Sequence, residues 1–177
     1  MTVAVLPQVN IEWPRVRALA PSMMFTKEQC YWPETIELEK EFEAKFVVVN
    51  SGDDGEVWLG FSYAGKNYVF QDKESGLSHW PLKNNEMITF TLATSMKQFF
   101  GWVGEDLPTA SKTVAITFMT GYWTQDAEGD HWWMTDNWEV RTLVRVAGGF
   151  KIPTWAIVGT VGIVLIGGVL IVATRRK

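Results

Sequence analysis

The sequence predicts an all-β chain: an antiparallel β-sandwich of about seven strands, carried on one C-terminal transmembrane α-helix. Three observations predict it. Apolar residues recur at every second position in most segments between residues 35 and 146. Short clusters of Gly, Asn and Asp separate those segments and supply turns. Finally, Trp155–Ala173 is a run of 19 residues without a charge. As a helix, that run spans about 28 Å at ~1.5 Å per residue, close to the ~30 Å hydrocarbon core of a bilayer.

Residues 1–21, MTVAVLPQVNIEWPRVRALAP, do not read as a secretory signal. No basic segment opens them, the apolar run Val3–Leu6 is short, and Glu12 and Pro14 interrupt the stretch after it. An N-terminal arm or an added edge strand is expected here. The sandwich is expected over 22–147. In TIELEK, Ile36 and Leu38 alternate with Glu37 and Glu39. EFEAKFVVV places Phe42, Ala44, Phe46 and Val48 on one face and Glu41, Glu43 and Lys45 on the other. NSGDDGE is a turn, VWLGFSY a strand, AG a tight turn and KNYVF a returning strand. EMITFTLA aligns Ile88, Phe90 and Leu92, and KTVAITFMT aligns Val114, Ile116 and Phe118. WEVRTLVRV aligns Trp138, Val140, Thr142, Val144 and Val146 against Glu139, Arg141 and Arg145. Between strands, SMKQFFGWV (95–103) has room for one helical turn.

EFEAKFVVVNSGDDGEVWLGFSY resembles the second and third strands of CARDB-type immunoglobulin-like modules, in which an apolar strand ends in V-x-N-x-G. Val48, Asn50 and Gly52 carry that pattern here, and TDNWEVRTLVRV is similar to the last turn and strand of those modules. The resemblance covers about residues 22–147. It implies an Ig-like seven-stranded sandwich with adhesive, spacer or structural use, and it implies no catalytic residues.

Residues 148–153 read as a short linker, 154–174 as the membrane helix and 175–177 as a basic tail. Pro153 suits a first helical turn and Trp155 an interfacial position. Gly159, Gly162, Gly167 and Gly168 leave shallow surfaces for a neighbouring helix. Arg175, Arg176 and Lys177 are expected to stay inside, which places the preceding domain outside, on a virion membrane or cell envelope.

Charge and motifs narrow the function. Residues 1–150 carry twelve cations against twenty acids, a net of −8, which disfavours binding to phosphate backbones. Cys30 is the single cysteine, so no internal disulfide holds the fold. His79, His131 and Cys30 are far apart, without the paired spacing of a metal site. The acids of NSGDDGE and TQDAEGDHW do not make calcium loops, because the twelfth positions after Asp53 and Asp126 are Ala64 and Asn137. No cofactor, metal or catalytic motif is expected.

Aromatic residues dominate the remaining signal. Trp123, Trp132 and Trp133 in GYWTQDAEGDHWWMTDNW, and Phe99, Phe100 and Trp102 in KQFFGWVGE, are candidate partner contacts. The same rings could fill the core or its rim, stack on sugars, or fold back as a lid. Trp132 and Trp133, as strand neighbours, face opposite sides, so one of them is expected at the surface or in a protein contact. A non-enzymatic, membrane-anchored structural or adhesive protein is expected, meeting the lipid bilayer and copies of itself or other coat or envelope proteins. An accessory subunit of a membrane enzyme complex and a glycan-binding receptor remain as other readings.

Overall fold

The computed structural model describes residues 3–6, 9–14, 20–147, 161–166 and 169–174. They fall into two compact units, Met1–Val146 and Ala147–Lys177.

The first unit is a β-sandwich of two sheets. Its strands are β1 (Val3–Leu6), β2 (Ile11–Glu12), β3 (Met23–Phe25), β4 (Thr35–Glu37), β5 (Glu41–Asn50) and β6 (Gly55–Tyr63). They continue as β7 (Lys66–Asp72), β8 (Trp80–Leu82), β9 (Met87–Ser95), β10 (Lys112–Asp126) and β11 (Gly129–Arg145), with helix α1 (Met96–Val103) between β9 and β10. The large sheet runs β1-β7-β6-β10-β11-β2, with β4 also on β11 and β8 also on β6; the small sheet runs β3-β5-β9. The alternation read from the sequence sets which faces meet. Ala44, Phe46, Val48, Phe90 and Leu92 pack against Val57, Leu59, Phe61, Ile116, Phe118, Val140 and Val144 in one buried core. Phe46 and Phe118 join the sheets with ring centroids 4.5 Å apart, and Trp32 lies 4.8 Å from Phe118.

Two local features position everything else. The first is a bulge in the β10–β11 ladder. Thr120 pairs with Asp136, but Gly121 pairs with Met134, so Thr135 is extra. Position 121 has to be glycine, because a Cβ there would overlap the carbonyl of Trp133. The bulge turns two side chains onto the free edge of β3. Thr135 Oγ1 accepts from Met23 N at 3.1 Å, and Asp136 Oδ2 accepts from Phe25 N at 2.9 Å. The second is Asn50, fully buried at the end of β5. Its Oδ1 accepts from Ser22 N and Gly52 N, and its Nδ2 donates to Asp53 O and Leu82 O. One side chain thus fixes the turn into β6 and ties it to β8.

The segment expected to hold a single helical turn forms the two turns of α1. Ser95 caps it by accepting from Gln98 N at 3.2 Å, and Gly104 closes it at φ 69°. Met96, Phe99, Phe100 and Val103 form its buried stripe. Within residues 1–21, β1 extends the large sheet beyond β7 antiparallel, and β2 joins β11 parallel at the opposite edge.

The second unit departs from the expected membrane helix over 154–174. Val161–Ile166 (β12) and Val169–Thr174 (β13) pair antiparallel, with Gly162 opposite Ala173. β-Branched residues fill eight of these twelve positions and favour extended backbone. Gly167–Gly168 between them in the sequence is a dipeptide suited to two-residue hairpins. Among the described residues, no helix is long and apolar enough to cross a membrane. The rest of the expected helix and tail, with Trp155, Gly159, Gly167, Gly168, Arg175, Arg176 and Lys177, lies outside the described residues.

The β6–β7 hairpin turns through Ala64 at φ 49° and Gly65 at φ 75°. Alanine in the left-handed region costs about 1–2 kcal/mol, whereas Asn-Gly suits this turn. Ala64→Asn is expected to raise the unfolding free energy by about 0.5–1 kcal/mol, read as a higher urea midpoint at unchanged slope.

Candidate functional site

The aromatic residues singled out by the sequence fall into two groups: Trp123, Trp132 and Trp133 gather near the tip of the β10–β11 hairpin, whereas Phe99, Phe100 and Trp102 lie on α1 against Phe61, Tyr63 and Phe70. The bulge explains the first group. Below it, Phe118, Val140 and Val144 face the small sheet. Above it, the parity of β11 is reversed, so Trp133 joins that core and Trp132 and Met134 turn to the outer face. The outer face is not bare. Trp58, Val69, Met119, Trp132 and Met134 form a second buried core there, packed against Leu6, Val9 and Ile11 of the N-terminal segment and against Trp123. Trp58 is fully buried and meets Trp132 edge to face at 6.0 Å. Its Nε1 donates to Tyr122 O at 3.2 Å.

This placement corrects several expectations. Strand neighbours Trp132 and Trp133 do face opposite sides, but neither is exposed, since the outer face is itself covered; Trp132 is 5% exposed. Trp133 lies half-buried, its ring nearly parallel to those of Tyr122 and His131, with Nε1 donating to Thr124 Oγ1 at 2.9 Å. Phe99 and Phe100 point into the main core from α1 rather than outward, so these residues act as a lid. Phe99 sits 5.0 Å from Phe61, and Phe100 sits 6.4 Å from Tyr63. Trp102 is half-buried against Phe70 at 6.2 Å. Trp123 is also half-buried and carries the imidazole of His79 flat on its indole, 3.8 Å between centroids at 6°. That stack covers one face of the indole.

Two histidine–carboxylate groups flank these rings. His79 Nδ1 pairs with Glu56 Oε2. His131 Nδ1 bonds Glu12 Oε1 at 3.0 Å, and its Nε2 lies 3.1 Å from Asp126 Oδ1, close enough for charge attraction but not aligned as a hydrogen bond. His131 therefore clasps the N-terminal segment to the tip of the β10–β11 hairpin. The hydrogen bond to Glu12 is the main cause raising the His131 pKa above its ordinary 6.5, followed by Asp126. Asp126 is held below its ordinary 3.8, first by the backbone N–H of Glu128 and then by His131. Among the described hydrogen bonds, neither imidazole receives a hydroxyl or thiol donor, the first requirement of an activated nucleophile. Cys30 lies elsewhere, its Sγ accepting from Val47 N at 3.3 Å, and burial pushes its thiol up. No group of three or more metal-ligating side chains occurs among the described residues. Asp126 accepts from Glu128 N within its own turn, and Asp54 accepts from Asn84 N in the loop between β8 and β9.

The side chains actually presented to solvent were not singled out by the sequence. Trp13 is 67% exposed, and Tyr31, Met24 and Met87 are exposed as well. Met24, Val49 and Met87 are register neighbours across β3, β5 and β9, which makes them one apolar row on the outer face of the small sheet. Alternation could have flagged Met24 and Met87, because each holds the outward position next to a buried Met23 or an inward-facing Ile88.

No protein-family model matches the sequence, and no curated protein matches it. Among solved structures, a β-glucosidase from Listeria innocua in complex with isofagomine is similar at 12% identity over 72% of this chain, with a TM-score of 0.35; this chain spans 16% of that protein. The CARDB domain of a Pyrococcus furiosus protein, in complex with di-metal ions, is similar at 12% identity over 72% of this chain and 92% of that domain, with a TM-score of 0.37. A Niemann-Pick type C2 protein from the Japanese carpenter ant reaches a TM-score of 0.41, at 12% identity over 70% of this chain and 93% of that one. Likenesses at this level do not place the chain in any of these families.

Burial separates the tryptophans sharply. Trp132→Ala is expected to cost about 3–5 kcal/mol of stability, whereas Trp13→Ala should change it by less than about 0.5 kcal/mol in the same denaturation series.

The clasp also has a pH window. The His131 contribution is complete below its unfolded pKa and is lost as pH rises through the higher folded value. The Asp126 contribution is present above its unfolded pKa and is lost as pH falls through the lower folded value. After correction for intrinsic exchange, amide protection of Ile11 and Glu12 is expected to fall as pH rises above the ordinary histidine value of 6.5 and through the raised one. In His131→Gln the protection should be low and flat across that range.

Proposed function

We propose that this chain is a membrane-anchored structural or adhesive protein that displays a β-sandwich for contacts with other protein copies. The observation that carries the proposal is the uncharged run Trp155–Ala173, with Arg175, Arg176 and Lys177 after it. A pair of six-residue strands reaches about 20 Å at ~3.3 Å per residue and leaves two backbone edges unpaired. In hydrocarbon each unsatisfied polar group costs several kcal/mol, so open strand pairs do not span bilayers and helices do. Over its 19 residues, a helix satisfies its own backbone and matches the bilayer. In lipid the run is therefore helical, and the basic end stays on the inner side.

The sandwich supplies bulk and shape in this reading. Its rings are spent on two cores, and its charge of −8 keeps it soluble beside the membrane. An Ig-like module used as spacer or adhesive unit fits that division of labour. The stack of His79 on Trp123 and the burial of Trp132 do not favour the glycan-binding reading.

Flotation tests the anchor. Full-length chain reconstituted with phosphatidylcholine vesicles is expected to float and to resist carbonate extraction, while Leu165→Lys with Leu170→Lys is expected to remain at the bottom of the gradient. Wild-type chain that stays in the dense fraction would refute the membrane reading.

A further inference from the structure

We propose that β9 is a docking edge for β9 of a second copy of this chain, the two strands pairing antiparallel about Phe90 to join two small sheets into one of six strands. The inference deepens the reading of copy-to-copy contact given above.

Backbone direction comes first. Lys45 exchanges both of its backbone hydrogen bonds with Tyr31, at 2.8 and 2.9 Å, on the β3 side of β5. Asn50 N, five residues on, donates to Glu86 O on the β9 side at 3.0 Å. Odd-numbered residues of β5 therefore direct their backbone groups toward β3, and even-numbered ones toward β9. The partners of Ala44, Phe46 and Val48 are Leu92, Phe90 and Ile88. The N–H and C=O groups of Thr89, Thr91 and Ala93 accordingly point away from β5. Among the described residues nothing pairs with that edge, since β9 ends the sheet order.

The other edges are short or capped. The large sheet ends in the four-residue β1 and the two-residue β2, with the three-residue β4 also on β11, and the outward N–H groups of Met23 and Phe25 in β3 are taken by Thr135 and Asp136. Protected edges usually carry Lys, Pro or a bulge. The nine residues of β9, MITFTLATS, contain no charge and no proline, and their register with β5 is unbroken. In a unit of net −8, this strip sets no charge of its own against a second copy.

The strand is also self-complementary, and that selects a second copy over an unrelated strand. Pairing about Phe90 puts Ile88 opposite Leu92 and Phe90 opposite Phe90 on the core side. Thr89 then meets Thr91, and Met87 meets Ala93, on the outer side. No side chain changes face, as register matching requires. Aromatic and threonine cross-strand pairs are among the favourable ones. Met87, 52% exposed, gains cover from the partner. Thr89 and Thr91 come directly opposite through hydrogen-bonded positions, at a Cα separation of about 5.5 Å, within disulfide reach.

The test uses full-length chain in non-ionic detergent, in a Cys30→Ser background. Thr89→Cys chains and Thr91→Cys chains, tagged with different masses, are oxidised separately and mixed. The mixed dimer is expected to form at least tenfold faster than either homodimer. In sedimentation, the wild type is expected to dimerise. Thr89→Lys with Thr91→Lys, whose side chains are exposed, is expected to weaken that association at least tenfold while leaving the near-ultraviolet circular dichroism intact. A monomeric wild type, mixed crosslinking no faster than the homodimers, or association indifferent to the two lysines would each overturn the proposal. Mixed crosslinking in a chain that fails to float would retain β9 pairing and remove the membrane anchor; flotation with no crosslinking would do the reverse.

Discussion

The unpaired residue in the β10–β11 hairpin is the constraint on which the rest of this sandwich depends. Without the extra Thr135, a 17-residue strand would keep one parity from end to end and feed one core. With it, the lower half of β11 sends Trp138, Val140 and Val144 inward, and the upper half sends Trp132 and Met134 to the opposite face. One hairpin thereby organises two hydrophobic cores. The same bulge aims Thr135 and Asp136 at the backbone of β3, locking the small sheet to the large one by hydrogen bonds as well as by packing. Gly121 is the local requirement that makes the bulge possible.

A second core on the outside of a sheet needs its own cover, and the N-terminal segment provides it. Leu6, Val9 and Ile11 lie over Trp58, Met119 and Trp132, while β1 and β2 pair with strands at opposite edges of the same sheet. Aromatic side chains bury about 150–250 Å² each, about 4–6 kcal/mol before entropy at ~25 cal/mol per Å². That is ample reason for a short segment with four-residue and two-residue pairings to stay in place. The contact of Glu12 with His131 adds a charge-dependent element to what is mainly an apolar strap.

The two units obey different solvent logic. In the sandwich, polar alternation puts acids out and rings in, and the buried side chains of Asn50, Thr120 and Thr142 are each hydrogen-bonded. The C-terminal run has no polar face at all, so its preferred structure depends on what surrounds it. β-Branched composition favours the strand pair of β12 and β13, while a hydrocarbon environment favours the conformation that leaves no backbone group unpaired.

The β class, most strand positions and their inward faces were legible in the amino-acid order. A two-residue alternation is a local property and survives into any sheet that buries one side: Phe42–Val48, Val57–Phe61, Ile88–Leu92 and Val114–Phe118 are oriented as their spacing predicts. The amino-acid order also marked the AG turn through Gly65, which takes φ 75° without strain, while Ala64 at φ 49° does not. The tertiary structure alone decided the fate of the aromatic residues. Local alternation could not reveal that a bulge reverses parity before Trp133, or that an N-terminal segment more than a hundred residues away covers Trp132. Nor could it show that Phe99 and Phe100 close the core from a capped helix, since that stripe has a partner only once Phe61 and Tyr63 are in place. The edge of β9 is of the same kind: its pattern reads as an ordinary strand, and whether a strand is central or exposed depends on neighbours that lie far off in the chain.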